Sequence, residues 1–281
     1  MPSLFPPPLA PNIPEAPSLL VTGKYHPSAP IHLALSSHRA IVLSASRSDL
    51  VSDLQQFNDA FLNTESGKGS TSELSSRIEI FYPPSPAHLC LLLSLLRVAN
   101  PEVDATEHTP VPQKTVQPIP PSTIVLHELS RYLWNEENAN TSRSSWMLSS
   151  YLNLLNRLFL CISNLKKSPL DLPPSLVLFD SKLGQLKLLE TNENVLCESL
   201  TVIERLFSCV AIFEEDSSYI PSSQSSERDT EEGLRKQVRY YCPHKTGPVE
   251  IQIDRWTEMT RDFIHGDRLP ERWFKWEQQD P

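Results

Sequence analysis

Glycine is scarce in this chain of 281 residues: there are seven, against 26 prolines. No GxGxxG or GxxxxGK[S/T] string occurs, so the glycine-rich cradles that hold dinucleotides and triphosphates are not written in their usual form. Cysteine is also sparse, with five residues scattered at 90, 161, 197, 209 and 242 and no CxxC pair. An odd, dispersed set argues against both a disulfide framework and a zinc ribbon, and points to reduced thiols in cytosol or nucleus. Long apolar runs are missing too. LCLLL at 89 to 93 falls far short of the roughly 20 residues that a membrane span needs, and no basic-then-apolar leader opens the sequence. There is no excess of positive charge: the formal net charge is -9, so the whole-molecule field repels nucleic-acid phosphates, and DNA contact requires a local basic patch or a partner. Neither a GxSxG elbow nor an HExxH pair is present, and the eight histidines show no pairing that suggests nucleophilic or metal catalysis.

What is present is a hydrophobic content of 39%, enough for a sizeable core. Residues 1 to 17 carry seven prolines and read as a flexible tail. Strand-like apolar runs then follow at 19 to 23, 39 to 45, 77 to 82, 122 to 128 and 175 to 180. Helical patterns lie between them at 48 to 62, 85 to 99 and 144 to 167. This alternation predicts an α/β fold, a mostly parallel sheet flanked by helices. Runs at 208 to 216, 236 to 243 and 247 to 256 have only loops between them and predict antiparallel strands added to one edge. The segments 64 to 76, 100 to 121, 135 to 143 and 214 to 233 read as loops or disorder. One domain over 18 to 256 is expected, with those insertions, followed by a polar, aromatic tail over 257 to 281.

The stretch LLVTGKYHPSAPIHLAL at 19 to 35 has the outline of a strand, a phosphate loop and a helix. Counted from Gly23, Ser28 stands at the second glycine, Ala29 at the lysine, and Pro30 at the Ser or Thr that would bind magnesium. Losing one charged hydrogen bond to phosphate costs about 1.5 to 3 kcal/mol, before the missing metal ligand is counted. On the fourth strand, His127 occupies the place of the acidic residue, and imidazole is a poor ligand for a hard cation. The residues therefore predict the frame of a P-loop-type core with a degenerate phosphate loop, no cofactor, no metal and no catalytic residue. A rival reading is an active ATPase that uses Lys24 and Glu128 instead.

Several strings together resemble one family. IEIFYPPSPAHLCLLLSLL at 78 to 96, with YPPS at Tyr82 to Ser85 as its most specific part, is similar to the third-strand region of the RecA-like subunit of the metazoan Shu complex. TIVLHELSRYLW at 123 to 134 resembles that family's acidic-strand region, and SSYLNLLNRLF, SLVLFD, ERLFSCVAIFEED and GPVEIQIDRW follow in matching order. The resemblance covers roughly residues 18 to 256. It implies a distant recombinase paralogue that binds a SWIM zinc-finger protein and a recombinase, and helps recombinase filaments assemble on single-stranded DNA in homologous recombination repair in the nucleus. The family member compared keeps its phosphate loop and this sequence departs from it, so hydrolysis is not carried over. A RecA-like subunit of the Elongator ring, serving transfer-RNA modification, is the alternative complex.

Two further clusters stand out. LRKQVRYYCPHK at 234 to 245 gathers Arg235, Lys236, Arg239, Tyr241 and Lys245 as DNA-contact candidates, because cations beside stackable rings suit single strands. If the segment is a strand, at most half of these can share a face. Trp273, Phe274 and Trp276 are partner-contact candidates, since exposed aromatics dominate interface energetics. Cys242 and His244 form a CxH pair, too few ligands for zinc.

Overall fold

The computed structural model describes residues 2–7, 10–99, 113–133, 148–165, 173–183, 196–216, 233–244, 247–261 and 269–276. The predicted strands form as β1 (Ser18–Gly23), β2 (Ala40–Ser44) and β3 (Ile78–Phe81), then, after the two-residue β4 (Arg97–Val98) and β5 (Val116–Gln117), as β6 (Thr123–His127), β7 (Ser175–Phe179) and β8 (Cys209–Glu215). The chain then adds β9 (Gly233–His244), β10 (Gly247–Arg261) and β11 (Glu271–Trp276). All but β4 and β5 join one sheet in the order β11-β10-β9-β8-β1-β7-β6-β2-β3. From β8 to β3 every pairing is parallel; β9, β10 and β11 extend it antiparallel. The architecture is thus mixed α/β with a large, mostly parallel sheet.

The continuous apolar runs are continuous because both faces of the sheet are covered. On one face Leu20, Ile41, Leu43, Leu126 and Leu178 pack beneath α5 (Pro86–Leu95) and α6 (Leu148–Asn164), with α7 (Leu196–Glu204) at the side. On the other, Leu19, Val21, Val42, Val177 and Ala211 meet Ala29, Leu33 and Ala34 of α1 (Ala29–Ser36). No described helix is long and apolar enough to cross a membrane.

Four expectations change. The 48–62 helix is two, α2 (Arg47–Phe57) and α3 (Ala60–Glu65). Asn58, left-handed at φ 53°, ends the first, and the Asp59 carboxylate caps the second by accepting from the Phe61 and Leu62 N–H groups. Within 64–76, expected as loop, Gly69–Ser75 forms α4, which packs against α1 and buries Thr71.

Residues 1 to 17 are not a free tail in their described part: Leu4 and Phe5 are 0% and 1% exposed. Proline excludes regular structure there but not burial, and a hook closed by the Ile13 N–H on the Pro2 carbonyl carries the two side chains into the core. In its described part, the tail expected over 257–281 is largely sheet, because β10 runs on to Arg261 and β11 pairs with the last six residues of β10. Of the expected insertions, residues 100–112, 135–143 and 217–232 lie outside the described residues.

Candidate functional site

In open parallel sheets, ligands bind beyond the carboxyl ends of the strands, where the order reverses. Here that place is the end of β1, flanked by β7 and β8, with β6 one strand away. Gly23 turns out of β1 at φ +84°, and a Cβ there would lie 2.2 Å from the Phe213 carbonyl oxygen, so only glycine fits. The loop then runs through Lys24, Tyr25 and His26 to Ser28, the N-cap of α1.

A helix N-terminus holds anions through its free N–H groups. At α1 these are taken. The Ala29 N–H donates to the His26 carbonyl at 2.9 Å, Pro30 has none, and the Ile31 and His32 N–H groups donate to the Ser28 carbonyl at 3.0 and 2.9 Å. Side chains close the turn further. The Ser28 hydroxyl donates to Asp59 Oδ2 at 2.6 Å and meets His26 Nδ1 at 2.9 Å, while His32 Nε2 lies 2.8 Å from the same Asp59 oxygen. All four residues are buried. Burial pushes the Asp59 carboxyl up, but the hydrogen bonds and charge of His32 and the Ser28 hydroxyl outweigh it and hold it below its ordinary 3.8. Burial, aided by His32, drives His26 well below the usual 6.5.

Gly23 at the end of β1 and Ser28, Ala29 and Pro30 at the start of α1 thus bracket one loop, and of these Gly23, together with His127, lines the cleft beside it. The cleft encloses about 310 Å3 and is lined by Gly23, Lys24, Tyr25, Asp53, Glu128 and Ser181 as well as His127. A side lobe of about 90 Å3 reaches Ser44, Asp49 and Arg131. His127 shares a hydrogen bond with the Ser44 hydroxyl at 3.1 Å through Nδ1, and burial lowers its pKa against the opposing charges of Glu128 and Asp53.

Lys24 does not curl into the cleft: its side chain is 84% exposed and pairs with Glu215 of β8 at 3.1 Å. Glu128 does turn inward, from a left-handed backbone (φ 54°) that an L-residue adopts at a cost. Its carboxylate accepts from the Tyr25 phenol and, at 3.1 Å, from the Ser181 N–H.

Sequence reading missed the neighbouring Asp180, which is fully buried and accepts from the Ser130 N–H and hydroxyl at 2.8 and 2.6 Å and the Tyr151 phenol at 3.0 Å. Burial first, and the Glu128 charge second, push it up to about 7, despite those donors. The available signal was its place directly after the apolar run SLVLF, at a strand's carboxyl end.

The DNA-contact candidates lie on β9 and divide between its faces. Arg235 pairs with Asp216 at 3.4 Å, Arg239 with Glu214 at 3.4 Å, and the Tyr241 phenol with Glu204, all on one face. Lys236 turns to the other and pairs with Glu258 at 2.6 Å. Lys245 and the side chain of His244 lie outside the described residues. Of the partner-contact candidates, Phe274 and Trp276 pack into the core with Phe5, at ring-centroid distances of 5.3 and 4.7 Å. Trp273 points to the opposite face, under the Arg261 guanidinium at 5.2 Å. No cluster of three or more metal-ligating side chains occurs among the described residues.

No protein-family model and no curated protein matches the chain. Among solved structures, a DnaB-like replicative helicase, determined together with its interactions with primase, aligns with a TM-score of 0.36 and 9% identity. The alignment covers 85% of this chain and 54% of that one, so the chain spans about half the length of the structure it matches.

Proposed function

We propose that the chain is a non-catalytic RecA-like subunit, a pseudo-ATPase, of a Shu-type complex that promotes recombinase filament assembly on single-stranded DNA during homologous recombination repair in the nucleus. The observation that carries the non-catalytic part is the start of α1. Its first-turn N–H groups are engaged by the His26 and Ser28 carbonyls, position 30 is proline, and Lys24 is turned to Glu215. A phosphate arriving there would have to break bonds that the chain already makes.

The Shu-type assignment rests on the resemblance of the quoted strings, above all YPPS. In the fold that segment links β3 to α5: the Ser85 hydroxyl accepts from the His88 N–H to cap the helix, and the Pro83 carbonyl accepts from the Tyr132 phenol at 2.6 Å. The partners on this reading are a SWIM zinc-finger protein and a recombinase, with single-stranded DNA met within the complex.

Two measurements on the full chain test the proposal. Calorimetry with magnesium-ATP should give no saturable binding; micromolar binding that disappears in Lys24→Ala would restore the ATPase reading. Purification from native cells at moderate salt should bring a SWIM zinc-finger protein together with a recombinase, whereas Elongator subunits in their place would replace the function and leave the fold.

A further inference from the structure

Strands β8 and β9 are antiparallel with Val210 opposite Tyr241, so one step further along the ladder Cys209 stands opposite Cys242. The backbone of β8 settles which kind of pair this is. The Phe213 carbonyl accepts from the Lys24 N–H on the β1 side, while the Asp216 N–H donates to the Arg235 carbonyl on the β9 side. Odd-numbered residues of β8 therefore turn their peptide groups away from β9, and Cys209 with Cys242 is a non-hydrogen-bonded pair. In such pairs opposing Cα atoms are about 4.5 Å apart and the side chains approach most closely. That spacing falls inside the range of about 4.4 to 6.8 Å over which disulfides bridge.

Alternation places both side chains on the face that carries Val238 and Tyr240. Cys209 is buried at 1% exposure, and Cys242, near the end of β9, is half-buried. Burial and then the neighbouring Cys242 push the Cys209 thiol up to about 11, as expected of an inner sulfur beside a second one.

We propose that Cys209 and Cys242 are a redox-responsive thiol pair that closes to an intrachain disulfide by exchange with a low-molecular-weight disulfide of the glutathione class. The Cys242 thiolate attacks the reagent, forming a mixed disulfide and releasing one glutathione thiolate. Cys209 then loses its proton to solvent and displaces the second glutathione from Cys242. Two protein thiols lose two electrons in all, and one reagent disulfide becomes two thiols. The bridge ties the antiparallel extension of β9, β10 and β11 to the last strand of the parallel body. This inference is independent of the proposed function.

The test uses the full chain, reduced and folded, exposed to glutathione disulfide at about pH 8, then quenched, denatured and labelled with a polymer-tagged maleimide. Labelled thiols should fall from the five of the sequence to three, and dithiothreitol should restore all five. Peptide mapping without reduction should join the Cys209 peptide to the Cys242 peptide. Cys209→Ala should stop at a glutathione adduct on Cys242, and Cys242→Ser should lose no label at all. A wild-type count that stays at five, a lasting adduct on Cys242, or a bridge to Cys90, Cys161 or Cys197 overturns the proposal.

Discussion

The Tyr25 phenol donates to the Glu128 carboxylate, and that contact ties the loop after β1 to the residue after β6, two segments 103 positions apart in sequence. Glu128 holds a left-handed backbone at this contact, and both residues line the cleft. In Tyr25→Phe the carboxylate keeps only the Ser181 N–H as a described donor while still facing Asp180. Urea unfolding should show a loss of about 1 to 3 kcal/mol. An unchanged midpoint would mean that the phenol only fills space.

Asp180 makes stability depend on pH. The unfolded carboxyl ionises near 3.8, whereas the folded one holds its proton up to about 7. Between these values the unfolded chain has lost a proton that the native chain keeps, so stability from this group is complete below pH 3.8 and drains away as pH rises through 7. The size is on the order of 4 kcal/mol. Unfolding midpoints should fall from pH 6 to pH 8 in the wild type, and Asp180→Asn should flatten that part of the profile. A slope that survives the substitution assigns it to another group.

His26 acts in the opposite direction. Its folded pKa lies well below 6.5, so its contribution is present above 6.5 and is lost as pH falls. An NMR titration should find the ring's midpoint well below 6.5, and a midpoint near 6.5 would show that it is not sealed in.

Phe5 meets five aromatic partners, the rings of His26, Phe213, Trp256, Phe274 and Trp276, at centroid distances of 4.7 to 5.9 Å. Phe5→Ala should cost about 3 to 5 kcal/mol and speed amide exchange in β11 ahead of β1. Exchange that rises equally in both strands would show that the N-terminal segment is not specifically what retains the edge.

Lys236 tests the basic cluster. Its partner Glu258 is 6% exposed and, among the described residues, keeps only Arg272, at 3.3 Å, once Lys236 is removed. Lys236→Ala should therefore destabilise the fold by about 1 to 3 kcal/mol. Single-stranded DNA binding by the isolated chain should be weak and fall steeply with salt, and salt-insensitive binding would contradict an electrostatic contact.

Strands buried on both faces were legible because their apolar runs report burial directly: Leu19 to Val21, Ile41 to Leu43 and Ile124 to Leu126 are all core residues. The helical breaks were less so, since the Asn58 turn is fixed from outside, by Asn58 donating its side-chain amide to the Leu269 carbonyl at 2.7 Å and accepting the Arg272 N–H at 3.1 Å. The N-terminal hook was illegible for a related reason. Periodicity reports regular elements, and Leu4 and Phe5 are buried without belonging to one. The strand, loop and helix outlined by residues 19 to 35 form, but Asp59, which binds Ser28 at the start of that helix, is 31 positions further along the chain. Lys236, Arg235 and Arg239 read as a basic cluster because their carboxylates, Glu258 of β10, Asp216 just after β8 and Glu214 of β8, are distant in sequence.

The cage around Phe5 also bears on the order in which the molecule comes together. Its walls on β10 and β11 are synthesised long after the ring that fills it. Contacts closing a loop of roughly 270 residues are the slowest kind to find by chance. Until Trp276 has left the ribosome, the cage around Phe5 is incomplete, and an apolar side chain without its full cover is a target for chaperones and a hazard for self-association.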